Sequence, residues 1–148
     1  MKKIYLDVCT LCRPYDDQSL LRIRLETDSF FLILKAVTDE KYQMITSPIH
    51  FREIADINEQ SEKLQLINLL ENFGSIIKYD LLFAKMRSKE LINKGLGVAD
   101  AIHIAFAEQA ADSFITCDDK LLKKSTKIKL NTNVLNPVQF CLNEGLII

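Results

Sequence analysis

The sequence has little of what marks several classes of protein. Its four cysteines are too few for a disulfide framework, and no apolar run approaches the length of a membrane span. Lys and Arg number 19 against 20 Asp and Glu, a net charge of −1, so the chain lacks a general basic coat for nucleic acid or membranes. Binding to a polyanion would therefore depend on local basic patches or on bound cations.

Signs of division or disorder are also missing. The chain has four glycines and three prolines, and no linker, internal repeat or low-complexity stretch interrupts it. A length of 148 residues, with 48% hydrophobic residues, predicts one globular domain over residues 1–148. Because only Ile4-Tyr5-Leu6 separates the opening Met1-Lys2-Lys3 from Asp7, the start is not typical of a secretory signal, and we expect a cytoplasmic protein.

Short apolar runs alternate with helical patterns along the chain. Strands are predicted over 4–6, 43–46, 113–117 and 134–135, and the segment 76–79 reads as a short strand or a buried connection. Helices are predicted over 18–39, 48–58, 61–74, 81–93, 98–111 and 136–141. This alternation predicts an α/β fold with three layers, α/β/α, around a central parallel sheet. Sites in such sheets lie at the carboxyl ends of the strands.

Four acidic residues occupy positions that the pattern otherwise keeps apolar. Asp7 and Asp118 each follow a predicted buried strand. Glu53 falls inside the apolar arc of its helix. Asp100 lies on a helix that is apolar or alanine on nearly every side, where an ionised carboxylate is costly unless a positive group pairs with it. All four are therefore expected to meet at one edge of the sheet.

Acids that meet in this way predict a site for a divalent cation. Crowded carboxylates raise each other's pKa, a cation removes that penalty, and oxygen ligands with retained waters suit Mg²⁺ or Mn²⁺. Taken alone, each acid also has an ordinary explanation. Asp7 fits a loop or a cap, Asp100 a cap or an ion pair, Asp118 the N-cap of the next turn, and Glu53 a pair with a buried arginine such as Arg13.

Cysteine and histidine offer a competing signal. Cys9 and Cys12 have the C-x-x-C spacing of a redox or zinc pair, but the flanking residues of a thioredoxin-type site and a second ligand pair are missing. His50 and His103 are isolated on packed helices. His103 is an imperfect partner for the neighbouring acid of its helix, and we expect it to hydrogen-bond near the site.

Four segments carry a family resemblance. They are Ile4-Tyr5-Leu6-Asp7, Ser47-Pro48 through Glu53-Ile54, Ala99-Asp100-Ala101-Ile102-His103-Ile104-Ala105 and Thr116-Cys117-Asp118. In this order and in a chain of this length, they resemble the PIN-domain family of metal-dependent ribonucleases, which includes the VapC-type toxins of toxin–antitoxin pairs. The resemblance covers most of the chain, including the closing helix at Asn136-Pro137.

The resemblance implies a set of site residues. The positions of the family's catalytic and metal-binding acids are taken by Asp7, Glu53, Asp100 and Asp118. Thr116 matches the small polar residue that orients the site, and its Thr-x-Asp spacing selects Asp118 rather than Asp119. Cys9 stands where the family often has Asn or Ser, which is a departure at one auxiliary contact.

The implied activity is that of an endoribonuclease. It would hydrolyse RNA phosphodiester bonds with a water activated by Mg²⁺ or Mn²⁺, as the toxin of a toxin–antitoxin pair. Glu53 would complete a second metal site or act as general base, and the sequence leaves that choice open. The implied partners are RNA, an antitoxin protein and a second copy of the chain, with no membrane. The alternative is a non-catalytic PIN-like module that binds RNA or protein.

A basic stretch follows the last of the four acids. It contains Lys120, Lys123 and Lys124, with Lys127 and Lys129 further on. These side chains are candidates for contacts with a single-stranded RNA backbone, and the alternative is an ordinary solvated loop.

Overall fold

The computed structural model describes residues 1–147, which form a sheet of five strands with eight α-helices. The strands are β1 (Lys2–Leu6), β2 (Tyr42–Thr46), β3 (Gly74–Ile76), β4 (Ser113–Ile115) and β5 (Asn133–Leu135). The helices are α1 (Val8–Leu11), α2 (Leu21–Thr38), α3 (Pro48–Ala55), α4 (Gln60–Phe73), α5 (Leu81–Asn93), α6 (Val98–Ala110), α7 (Asp119–Ser125) and α8 (Pro137–Asn143). Arg13–Tyr15 forms a 3₁₀ turn. No helix within these residues is both long enough and apolar enough for a membrane crossing.

The strands all pair in parallel, in the order β3-β2-β1-β4-β5. The chain therefore leaves the central strand β1 toward β2 and β3, and then returns to the other side of β1 for β4 and β5. This reversal makes a topological switch point at the carboxyl ends of β1 and β4, where ligand sites of open parallel sheets lie.

The central strand sends its side chains into two cores on opposite sides of the sheet. Ile4 and Leu6 pack with residues of α2, α4 and α8, whereas Tyr5 packs with residues of α5 and α6. Helices thus cover both faces, and the predicted three-layer α/β/α architecture is confirmed. The same alternation brings Asp7, two residues after Tyr5, to the side of α6.

Several predicted elements begin or end elsewhere. The helix predicted over 18–39 begins only at Leu21, because the Gln18 side chain donates hydrogen bonds to carbonyls of the preceding turn, Arg13 O among them. The helix predicted from 48 to 58 ends at Ala55, and the strand predicted over 113–117 ends at residue 115. The sequence also indicates Ser61 as the N-cap of the helix over 61–74, and this prediction is wrong: the N-cap of α4 is Glu59, which accepts from the Ser61 N–H.

The third strand is also displaced from its predicted place. Only Ile76 of the segment 76–79 is in a strand, and that strand begins at Gly74, directly after α4. A Cβ at Gly74 would lie 2.5 Å from Leu70 O and from Thr46 Cγ2, so only glycine permits this close approach of helix and sheet.

Candidate metal centre

Asp7 is the most firmly held acid at the switch point. It is 6% exposed and forms the N-cap of α1, with Oδ1 accepting from the Val8 N–H at 2.8 Å. Oδ2 accepts from Thr116 Oγ1 at 2.8 Å and from Cys9 Sγ at 3.4 Å. The carboxylate is therefore oriented both by its own helix and by the residue that follows β4.

Glu53 reaches the same edge from α3 and meets a histidine of α6. His103 Nε2 is hydrogen-bonded to Glu53 Oε1 and lies 4.0 Å from Asp7 Oδ1. One potential ligand atom from each of Asp7, Glu53 and His103 lies within 4.8 Å of the other two. The sequence suggested Arg13 as a partner of Glu53 and His103 as an imperfect partner of Asp100. In the structure Arg13 pairs with Glu26, and His103 bonds to Glu53.

A buried polar cluster lies behind this site. The Tyr5 hydroxyl is 2.6 Å from His103 Nδ1 and 2.6 Å from Ser47 Oγ. His50 Nδ1 accepts from the Ser47 N–H at 3.1 Å, so its Nε2 carries the proton and donates to Leu6 O at 2.7 Å. Burial lowers the pKa of His50 to about 3, and burial raises the pKa of Tyr5 well above its ordinary value, so both side chains are neutral.

Asp100 is half-buried in the first turn of α6. Burial, followed by the charges of Asp7 and Asp118, raises the pKa of Asp100 to about 6. This effect places Asp118 near the same edge, although its Oδ1 also caps α7 by accepting from the Lys120 N–H at 2.9 Å and the Leu121 N–H at 3.3 Å. The N-cap explanation for Asp118 is thus confirmed, and Oδ2 lies outside that cap.

Thr116 joins the two ends of this arrangement. Its hydroxyl donates to Asp7 Oδ2 and accepts from the Asp118 N–H at 3.1 Å. This pair of bonds supports the orienting position that the resemblance implies for Thr116.

No lysine or arginine within residues 1–147 pairs with the acids of this edge, and the side chain that contacts Asp7 and Glu53 is His103. The nearby arginines are used elsewhere: Arg13 pairs with Glu26 at 2.8 Å, and Arg22 binds both oxygens of Asp119 at 2.5 and 2.6 Å. A group of carboxylates without its own counter-charge has the donor chemistry that Mg²⁺ and Mn²⁺ prefer. The residues present therefore fit a divalent cation, and the ion pair of Asp119 makes Asp118 the better candidate of the two neighbours.

Basic and apolar surfaces border the acidic edge. Lys120, Lys123 and Lys124 are exposed on α7, which begins directly after Asp118. An open groove of about 530 Å³ lies between α3 and α6, and its lining includes Arg52 and Glu53.

Sequence reasoning missed the cluster behind the acids. Tyr5 and Ser47 were not singled out, although Tyr5 stands two residues before Asp7 on a strand and so faces the same way. His103 follows Asp100 by three positions on a helix, a spacing that places both near one face.

The fold is similar to those of two solved structures. One is FitAcB from Neisseria gonorrhoeae, with a TM-score of 0.52 and 18% identity over 90% of this chain and 97% of that chain. The other is FitAB bound to an IR36 DNA fragment, with a TM-score of 0.53 and 19% identity over 91% of this chain and 95% of that chain. No protein-family model matches the chain, and no curated protein sequence matches it. At this level of identity the likeness establishes the fold, which is PIN-like as the four segments predicted.

Proposed function

We propose that this protein is a metal-dependent endoribonuclease that acts in the cytoplasm as the toxin component of a toxin–antitoxin pair. One observation carries the proposal: potential ligand atoms of Asp7, Glu53 and His103 lie within 4.8 Å of one another at the switch point of the sheet. The two carboxylates have no lysine or arginine partner among residues 1–147, and, after burial, the charges of Asp7 and Glu53 contribute to the raised pKa of Asp100. Such a group repels itself when empty and is stabilised around a divalent cation. The fold shared with FitAB and the resemblance to VapC-type toxins support the same activity.

The acids have distinct parts in this proposal. Asp7, Asp100 and Asp118 would hold Mg²⁺ or Mn²⁺, and Glu53 would complete a second metal site or take a proton from the attacking water as general base. When bound, the ion supplies a lowered pKa for water and neutralises charge on the phosphate. Because both oxygens of Asp7 are already hydrogen-bonded, the carboxylate would need little reorientation when a cation binds.

Local charge would hold the RNA, because the net charge of the chain is −1. Lys120, Lys123 and Lys124 lie beside the acidic edge and would contact the backbone of a single strand. The groove between α3 and α6, with Arg52 in its lining, is the second surface that borders the reacting phosphate.

Exposed apolar side chains support protein partners. Leu21, Leu25 and Phe31 are exposed on α2, and Leu82 and Phe83 are exposed on α5. Surfaces of this kind are commonly covered by another protein. In our proposal they receive the antitoxin and a second copy of the chain, and contact with DNA, as in the similar FitAB structure, would be made through the partner.

Titration with Mn²⁺ by calorimetry, combined with an RNA cleavage assay, tests the proposal. We expect the wild type to bind Mn²⁺ and to cleave, and Asp7→Asn or Asp100→Asn to lose at least about 100-fold in cleavage while remaining folded. Asp28→Asn, an exposed position of α2, removes the same charge and should cleave like the wild type.

Two results would contradict the proposal. Cleavage at the wild-type rate by purified Asp100→Asn would show that the acidic site takes no part in the reaction. Binding of RNA or of a partner protein without metal uptake or cleavage would instead identify a non-catalytic PIN-like module.

A further inference from the structure

We propose that His103 is a positioning residue that holds Glu53 in the site, and that Tyr5 in turn holds His103; this rests on the proposed metal-dependent function. His103 is 1% exposed, and both of its ring nitrogens are engaged. Nε2 bonds to Glu53 Oε1, and Nδ1 lies 2.6 Å from the Tyr5 hydroxyl. A buried ring that is bonded at both nitrogens cannot turn without losing a hydrogen bond, so the carboxylate that it binds is held as well.

The hydrogen bonds in this cluster run in one direction. An ionised carboxylate only accepts, so the proton between His103 and Glu53 belongs to Nε2. With a single proton on the ring, as in the arrangement that the NMR experiment below tests, Nδ1 is an acceptor and the Tyr5 hydroxyl supplies the donor. The Tyr5 oxygen accepts in turn from Ser47 Oγ at 2.6 Å. Each of the four side chains has a hydrogen-bond partner in this arrangement.

The hydrogen-bonded series Ser47–Tyr5–His103–Glu53 is called the relay here, and Tyr5 is its rigid support. It lies at the middle of β1, is fully buried, and stacks on His50 and Phe114 with ring centroids 4.4 and 5.4 Å apart. The Glu53 side chain, in contrast, is 33% exposed and would sample several rotamers on its own. The relay thus connects the partly exposed Glu53 to the central strand of the sheet.

This arrangement separates positioning from direct metal binding. An Nε2 atom that is protonated and donates to Glu53 has no lone pair left to bind a cation. His103 therefore stands behind Glu53, and the cation is held through carboxylate oxygens.

A pair of substitutions at His103 tests the role without depending on catalysis. His103→Gln keeps an amide donor near the place of Nε2, whereas His103→Asn keeps a polar group near Nδ1 and cannot reach Glu53. By calorimetry we expect Mn²⁺ affinity to fall about 10- to 100-fold in His103→Asn and to recover to within about 5-fold of wild type in His103→Gln.

Tyrosine substitutions provide the matched control. Tyr5→Phe removes the hydrogen bonds of Tyr5 to both His103 and Ser47. Because only the bond to His103 acts on Glu53, Mn²⁺ binding should weaken by about 5-fold, the equivalent of one typical hydrogen bond. Tyr79→Phe also removes a tyrosine hydroxyl, a half-buried one that donates to Thr46 O at 2.7 Å outside the relay, and should leave the affinity unchanged. Thermal unfolding confirms that each variant is folded before binding is compared.

Nitrogen-15 NMR of the histidine side chains gives the direct readout. We expect His103 in the Nε2–H form without metal, and no loss of that proton when Mg²⁺ is added. The Nδ1–H form, a ring protonated at both nitrogens, loss of the Nε2 proton on Mg²⁺ binding, or equal Mn²⁺ affinities of the Gln and Asn variants would each overturn the inference.

Failure of the proposed function gives a different pattern. A wild-type protein that binds no divalent cation contradicts the proposed nuclease activity. The positioning role can still be tested without metal, because NMR reports both the tautomer of His103 and the carboxyl signal of Glu53. A Glu53 signal that shifts in His103→Asn but not in His103→Gln supports positioning, and equal signals in both variants overturn it.

Discussion

Asp100 bears an electrostatic cost at the sheet edge. Burial and the charges of Asp7 and Asp118 raise its pKa to about 6, whereas an aspartate in the unfolded chain titrates near ~3.9. The folded state therefore binds a proton at Asp100 more tightly than the unfolded state does. The stability that this group contributes is complete below about pH 4 and is lost as the pH rises through about 6.

Asp100→Asn should consequently stabilise the metal-free protein at pH 7.5. We expect a gain of about 1 kcal/mol in the free energy of unfolding, reduced from the full pKa effect because a half-buried site is screened by solvent. The gain should vanish near pH 4, where the aspartate is protonated. Urea denaturation at both pH values in the presence of a chelator measures it, with Asp28→Asn as control. A wild type that is as stable as Asp100→Asn at pH 7.5 would contradict this account.

Cys9 shows how a departure from a family pattern is accommodated. Its thiol lies 3.4 Å from Asp7 Oδ2 and 3.4 Å from Thr116 Oγ1, where an Asn or Ser side chain would also hydrogen-bond. A contact with Cys117, burial and the charge of Asp7 raise the pKa of Cys9, so the thiol stays protonated. All four cysteines are free, and Cys9 serves as a donor to Asp7 rather than as the partner of Cys12.

At the scale of elements, one buried acid connects several segments around the site. Glu26 of α2 accepts from Arg13 at 2.8 and 3.0 Å and from Asn136, the N-cap of α8, at 2.5 Å. Arg22 approaches Glu26 to 3.5 Å and also binds Asp119 at the start of α7. The 3₁₀ turn, α2 and α8 are therefore joined through a single carboxylate, and Arg22 connects this carboxylate to the start of α7.

Removal of one arginine should expose the cost of that burial. We expect Arg13→Ala to lower the free energy of unfolding by about 3 kcal/mol, because Glu26 remains buried with incomplete compensation. Addition of Glu26→Gln should recover part of the loss. Arg24→Ala, at an exposed position of α2, should change stability by less than about 0.5 kcal/mol. A loss below about 1 kcal/mol in Arg13→Ala, measured by urea denaturation, would show that Glu26 does not depend on this arginine.

At the scale of the whole molecule, the balance of charge requires the proposed RNA binding to depend on a local basic patch. Replacement of Lys120, Lys123 and Lys124 with Gln should weaken RNA binding and reduce the slope of log affinity against log salt by about 2, since each single-strand phosphate contact contributes about 0.7. Lys85, Lys89 and Lys94, exposed on and just after α5, give a control with the same change in net charge. Equal slopes for the two triple variants, in binding titrations at several salt concentrations, would assign these lysines to a solvated surface.

Much of the architecture follows from local pattern. The helix predicted over 81–93 has those bounds in the structure, and the helix predicted from 98 ends at Ala110, because the spacing of apolar residues is a property of neighbouring positions. The presence of acids where apolar residues belong is also a local signal, and it predicts Asp7, Glu53, Asp100 and Asp118 as site residues. Of these four, the structure brings ligand atoms of Asp7 and Glu53 together with His103.

The partner of each acid was decided only by the tertiary structure. Glu53 bonds to His103, 50 positions away, and Asp7 to Thr116, 109 positions away. Periodicity contains no information on such distances, since they depend on the strand order and on how α3 and α6 pack beside β1. The sequence alone therefore determined that acids would stand among apolar residues, at the ends of strands and on helices, and the parallel sheet determined which atoms they meet.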